Sequence, residues 1–305
     1  MRQAFIKALT YEAKKNNQLL LLTADLGYQV VEEFEREFPQ RFINMGVAEA
    51  NMIAVASGLA MCGKIPFVYS IATFLTMRCF EQIRNDVCLH KANVKIVGVG
   101  GGLQYAQAGS THHALEDIAI MRTLPGMTII CPADPVEAYQ ATIAACRHYG
   151  PVYLRLGKSG EKNVLALNYQ FRLGKGAILR QGADILLLAT GSMVSQALEI
   201  SQILAQNRLE TTVVNLSTVK PLDKDLIIFL TKKIRRVFTL EEHYLIGGLG
   251  SAVAEVIALS NLTGIKFKSF GIKDKLYHHV GSWPYLKDKL NLSTKKITLS
   301  ILNNL

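Results

Sequence analysis

The sequence has no apolar run of about 18 residues free of polar interruption, so no membrane span is expected. Its first residues, Met1-Arg-Gln-Ala-Phe5, lack the charged-then-apolar layout of a secretory signal, and the cytoplasm is the expected location. The five cysteines, Cys62, Cys79, Cys88, Cys131 and Cys146, make no CxxC pair and sit mostly in apolar stretches. They read as buried free thiols in a reducing compartment and carry no metal or redox signal. A GxGxxG fingerprint with a helix opening at its third glycine is missing, as are internal repeats and low-complexity tracts. Basic residues outnumber acidic ones, 34 to 24, for a net charge of +10. The basic pairs (Lys14-Lys15, Lys232-Lys233, Arg235-Arg236, Lys295-Lys296) are scattered and lack the aromatic interleaving of a single-strand binder. That argues against nucleic acid and leaves a solvated basic surface suited to an anionic ligand or acidic partner.

What is present is a chain of 305 residues, 50% hydrophobic and 19% charged, long enough for two compact domains. Continuously apolar strand-like runs (18–23, 41–44, 66–69, 94–99, 127–131 and 151–156) alternate with helical patterns (2–15, 30–38, 47–62, 74–90, 114–123 and 136–149). Alternation at this spacing predicts a parallel sheet covered on both faces. From Gly157 to Lys175 the pattern fades into the composition of a linker. A second alternating segment follows, with strands 184–189, 211–216 and 236–240 and helices 194–205, 224–232 and 251–259. The expected fold class is therefore α/β, in two domains, each a mainly parallel sheet with helices on both faces.

Four places invite chemistry. Glu49 stands alone in the apolar run Val47–Cys62, a helix expected to be buried nearly all round, where an ionised carboxylate is expensive unless partnered. Such burial raises a carboxyl pKa and lets the group hold a proton near neutrality, although an acidic residue in a first helical turn also suits the dipole. Asp25, at the end of a buried strand, lies where open α/β sheets place ligands, and it could equally cap the helix that begins near Val30. The loop Gly100-Gly-Gly102 to His112-His113 offers three glycines for close backbone approach to a ligand and two histidines that suit either a polar cap or catalysis. Arg155, out of place in an apolar strand, calls for an anion from protein or ligand. Gly247-Gly-Leu-Gly250 before a helix reads as tight packing more readily than as a phosphate site.

Taken in order, Ala24-Asp-Leu26, Gly46-Val-Ala-Glu-Ala-Asn-Met52, Thr73-Phe-Leu75 with Glu81-Gln-Ile-Arg-Asn-Asp86, Gly109-Ser-Thr-His112, Pro132-Ala-Asp134, and Glu241-Glu-His243 with Gly247-Gly-Leu-Gly250 resemble the C-terminal half of a transketolase. The resemblance covers the whole chain and implies a pyrimidine-binding domain at 1–165, a linker at 166–175 and a transketolase C-terminal domain at 176–305. It implies thiamine diphosphate as cofactor, whose ylid stabilises the carbanion left when a two-carbon ketol unit is cut from a ketose. On this resemblance Glu49 bonds N1' of the aminopyrimidine and Phe74 stacks on its ring. Asp25, Met77 and Arg78 fall in the cofactor's neighbourhood, His112 faces the donor sugar, and Arg2 and Arg155 hold a sugar phosphate. His243, His278 and His279 read as structural.

The sequence contains no Gly-Asp-Gly followed by an Asn-containing metal loop. The diphosphate and Mg²⁺ are therefore expected on a separate N-terminal subunit, in an α2β2 assembly. Departures from the family pattern touch the substrate: Ala108 stands where an acid is common, Gly100-Gly-Gly102 replaces a phosphate-contacting histidine, and Gly27-Tyr28 replaces a serine. They leave room for an unusual or nucleotide-linked sugar. The expected function is a split transketolase subunit; the alternatives are a deoxyxylulose-phosphate synthase-like enzyme using pyruvate and a non-catalytic assembly subunit.

Overall fold

The computed structural model describes residues 1–304. In the first half, β1 (Leu19–Thr23), β2 (Phe42–Asn44), β3 (Ile65–Ile71), β4 (Lys95–Val99), β5 (Thr128–Ile130) and β6 (Val152–Leu156) run parallel in the order β5-β6-β4-β3-β1-β2. The intervening helices are α1 (Arg2–Ala13), α2 (Glu32–Glu37), α3 (Glu49–Met61), α4 (Ala72–Thr76), α5 (Phe80–Gln82), α6 (Asp117–Thr123) and α7 (Pro135–Arg147). The second half has β7 (Ala177–Arg180), β8 (Ile185–Ala189), β9 (Thr211–Asn215), β10 (Thr218–Lys220), β11 (Arg236–Tyr244) and β12 (Lys266–Ile272). Its helices are α8 (Met193–Gln206), α9 (Lys224–Lys233), α10 (Leu249–Leu259), α11 (Trp283–Lys289) and α12 (Thr294–Leu302). The second sheet is ordered β12-β11-β8-β9-β7, with only β7 antiparallel. Two α/β domains with mainly parallel sheets are thus what the chain forms.

The structure departs from the sequence reading in several places. The single helix expected over 74–90 is broken: α4 ends at Thr76, the chain bends through Met77–Cys79, and α5 runs into a π-helix at Ile83–Leu89. α3 begins at Glu49, two residues later than Val47, and is not buried all round, because Asn51, Ala54, Gly58 and Met61 are exposed while Met52, Ile53 and Ala56 fill the core. β11 runs four residues beyond Leu240, and β10 crosses over to pair antiparallel with β5 of the first sheet. No helix among the described residues is long and apolar enough to cross a membrane.

The two halves share buried surface. Leu103, Ala106, Leu115 and Ala133 from the first half pack with Leu187, Val213 and Phe238 of the second. The linker composition hides firm anchoring: Asp134 caps α7 and accepts from the Val164 and Leu165 amides, while Glu137 accepts from Tyr169 Oη and Asn215 Nδ2.

Candidate active site

In open parallel sheets ligands gather at the strand carboxyl ends, where connections leave in opposite directions. Here that edge lies at β1 and β3, and three segments converge on it. The first follows β2. Gly46, at φ 69°, donates its amide to Asn44 Oδ1, and this turn starts α3 so that Glu49 opens the helix pointing inward. Glu49 is 1% exposed. The second segment is α4, which begins directly where β3 ends and carries Phe74; the bend after it returns Arg78 towards Glu49. The third is the loop from Gly100 to Glu116, closed at its base by reciprocal amide bonds between Gly102 and Ala114, both 2.9 Å.

These segments make one contiguous cluster. Arg78 Nη1 donates to Glu49 Oε2 at 2.8 Å, and its guanidinium carbon stands 4.7 Å from the centre of the Phe74 ring. Ser70 Oγ, on β3, donates to Glu49 Oε1 at 3.4 Å. His112 meets Phe74 edge-on with centroids 5.0 Å apart, and Tyr105 lies 5.8 Å from the same imidazole. His112 Nδ1 shares a hydrogen bond with Thr111 Oγ1. Lys158 Nζ sits 4.6 Å over the Tyr105 ring, and Arg2 Nε donates to the Lys158 carbonyl at 2.7 Å. The result is a row from carboxylate through guanidinium, aromatic and imidazole to two cations. Met77 is exposed beside it. Asp25, at φ 54°, is exposed at the β1 end and paired with Asn44 Nδ2; it does not cap α2, whose N-cap is Val31.

Two expectations change. Arg155 does not join this row: it is buried, with Nε on Asp117 Oδ2 at 2.7 Å and Nη2 on Asp117 Oδ1, the Ala114 carbonyl and the Glu242 carbonyl. Burial alone would raise the Asp117 pKa, but Arg155, with smaller help from His243 and Tyr153, carries it below the ordinary carboxylate value. A guanidinium committed in this way is withdrawn from the set that could hold a phosphate. The glycines at 100–102 likewise approach protein and not ligand, since a Cβ on Gly101 would lie 2.8 Å from the Arg155 guanidinium carbon and one on Gly102 2.5 Å from Glu242 Oε1. Ser70, Tyr105 and Lys158 were missed. Ser70 and Lys158 had the signal of lying at or just past a strand's carboxyl end.

Fold and cluster define a class: a two-domain α/β chain that presents a buried carboxylate, an aromatic face and a histidine beyond the carboxyl ends of one sheet's strands. The chain belongs to the transketolase family. Residues 1–161 match the transketolase pyrimidine-binding domain and residues 174–297 the transketolase C-terminal domain. It is 39% identical over 298 residues, 97% of this chain and 92% of the relative, to the 6-deoxy-6-sulfo-D-fructose transketolase subunit SqwH of Clostridium sp. (strain MSTE9). It is 35% identical to the 1-deoxy-D-xylulose-5-phosphate synthase of Microcystis aeruginosa, covering 98% of this chain but 47% of that protein. Among solved structures, a split-gene transketolase in an inactive β4 tetramer superposes with a TM-score of 0.89 at 36% identity, covering 99% of this chain and 96% of the other.

Proposed function

We propose that this chain is the pyrimidine-binding and C-terminal subunit of a split, thiamine diphosphate-dependent transketolase that moves a two-carbon ketol unit from a ketose to an aldose. The observation that carries this reading is the arrangement of Glu49, Arg78 and Phe74. The guanidinium is a flat cation that donates to a buried carboxylate while standing over an aromatic face. A protonated aminopyrimidine makes the same two demands, so the residues present fit the cofactor's ring and Arg78 acts as its internal stand-in.

When bound, thiamine diphosphate supplies the carbanion-stabilising chemistry. Glu49 donates and recovers a proton at the ring nitrogen, with Ser70 steadying its other oxygen. Phe74 provides the stacking face, and Arg78, already half exposed, releases Glu49 and turns towards solvent. His112 hydrogen-bonds the hydroxyls of the donor sugar, and Met77 and Asp25 border the cofactor at the rim. Arg2 and Lys158 give the far end of the mouth positive charge, which suits a ketose with an anionic terminus. The names of the relatives differ in the sugar they carry, 6-deoxy-6-sulfo-D-fructose in one and 1-deoxy-D-xylulose-5-phosphate as the product in another, and both sugars have an anionic terminus, so the substrate class extends no further than that.

The partner subunit, in an α2β2 assembly, contributes the diphosphate and Mg²⁺ ligands. The exposed face of α3, where Ala54, Gly58 and Met61 stand uncovered on the helix that Glu49 opens, is where it docks. In the reconstituted complex Glu49→Gln is expected to lower turnover by about 10²- to 10⁴-fold with assembly intact. Unchanged turnover overturns the reading and favours an assembly subunit. Release of carbon dioxide from pyruvate would identify the synthase-like alternative, which the second relative supports.

A further inference from the structure

The loop that carries His112 is built with two sides. Leu103, Ala106 and Leu115 are buried in a core shared with the second domain, while Tyr105 and His112 pack together beside Phe74. Its apolar plugs therefore sit in one domain's core and its polar face serves the other's site. At the point where the loop enters that core stands Glu242, on β11 and 2% exposed. Its Oε1 accepts from the Leu103 amide at 2.6 Å and from Trp283 Nε1 at 2.9 Å; its Oε2 accepts from Ser192 Oγ at 3.0 Å. Its main-chain carbonyl accepts from Arg155 Nη2 at 3.1 Å, and two residues on the Tyr244 amide donates to the Leu115 carbonyl at 2.9 Å.

We propose that Glu242 is a positioning residue, by which the C-terminal domain holds the 100–116 loop so that His112 stands edge-on to Phe74. This rests on the reading of His112 as the donor-facing group. The argument is geometric. The Leu103 amide follows directly on Gly102, whose pairing with Ala114 closes the loop, so displacement at that peptide moves both of the loop's limbs. Gly102, at φ 72°, is matched to the carboxylate: any Cβ there would overlap Glu242 Oε1. Three neutral donors from three separate elements converge on one carboxylate, and a buried charged acceptor holds them more firmly than a neutral one. On the loop's far limb a Cβ on Gly109 would come within 3.7 Å of Val280 Cγ2, from the segment leading to α11, so the same domain approaches that limb too. A residue of the second domain thereby sets the geometry of a catalytic group in the first without touching substrate.

Glu242→Gln keeps an oxygen for the Leu103 amide and Trp283, and its amide can donate to Ser192, whose hydroxyl also accepts. Glu242→Ala removes all three bonds. In the full chain alone, hydrogen exchange of the 103–112 amides is expected to rise about tenfold or more in the alanine variant, with β1, β3 and β4 as protected as before. In the complex with the partner subunit, kcat/KM for the ketose is expected to fall about 100-fold, as for a misplaced positioning group, while the thiamine diphosphate Kd stays within about twofold. The glutamine variant should recover most of both effects.

Equal loss of protection across both domains, or cofactor affinity falling in step with activity, would reduce Glu242 to a general stabiliser and overturn the proposal. So would an unchanged loop. If the wild-type complex turned over no ketose, the functional reading would fail, yet the exchange comparison would still decide whether Glu242 positions the loop.

Discussion

At the scale of single residues, α3 carries Glu49 into a region where an isolated carboxylate would be strongly disfavoured, and Arg78 offsets this by donating to it at 2.8 Å. The guanidinium is half exposed, so solvent screens the pair and its contribution is small. Arg78→Gln is expected to lower the urea stability of the separate chain by no more than about 1 kcal/mol. The same substitution should leave thiamine diphosphate affinity in the complex unchanged or several-fold tighter, because no guanidinium then has to be moved aside. Titrating the complex with the cofactor checks this; a clear weakening would make Arg78 a direct cofactor contact.

At the scale of elements, α3 is apolar on its covered side and, apart from Asn51, small or apolar on its uncovered side as well. Met52, Ile53 and Ala56 bury their side chains against the sheet, whereas Ala54, Gly58 and Met61 are exposed. A Cβ on Gly58 would meet no atom within 4 Å in this chain, so the glycine, costing the helix about 1 kcal/mol relative to alanine, has no use inside the monomer. It fits a face that another backbone approaches closely. Ala54→Arg is expected to leave the separate chain's melting temperature within a few degrees, since an exposed helix position tolerates arginine. It should also abolish co-purification with the partner subunit and any self-association seen by light scattering. An unaffected assembly would place the interface elsewhere.

At the scale of the whole molecule, the junction of the domains holds two titrating groups with opposed effects. His243 and Glu241 approach to 3.9 Å, both fully buried. Burial holds His243 down to about 4, against the pull of Asp117, and burial raises Glu241 to about 7, against the amides of Leu249 and Gly250. The unfolded histidine takes its proton near pH 6.5. Acidification from about 6.5 to about 4 therefore favours unfolding through His243. Glu241 is protonated in the fold below about 7 but in the unfolded chain only near 4.3, so the same acidification favours folding through Glu241. The two slopes oppose each other, so this pair together is expected to contribute little to the change of the urea midpoint across that range. Glu241→Gln should uncover a loss on acidification of about 3 kcal/mol, and His243→Asn the opposite slope. Parallel slopes in the two variants would refute the assignment.

The α/β class was legible because strand and helix periods are carried by near neighbours: the run at Leu19–Thr23 is apolar throughout, too short for a helix and followed by Asp25 and Gly27, which marks it as a covered strand. Glu49, Phe74 and His112 stood out for a related reason, as each sits within a short motif whose order reports the family, and the fold brings the three into one cluster. Four things were not. The partner of Arg155 is Asp117, 38 residues away on α6; the anchor of Leu103 is Glu242, 139 residues away on β11. The glycines at 100–102 and the open side of α3 were misread because sequence shows that a residue is small or apolar and not what stands against it.

The sequence by itself therefore determined the layers, the family and the carboxylate at the start of α3, all consequences of local period and short motifs. Only the tertiary structure decided which charges are spent inside the protein, Arg155 on Asp117, and which remain at the mouth, Arg2 and Lys158. A charge takes its partner from whatever the packed elements bring within about 4 Å, and no local pattern records that distance.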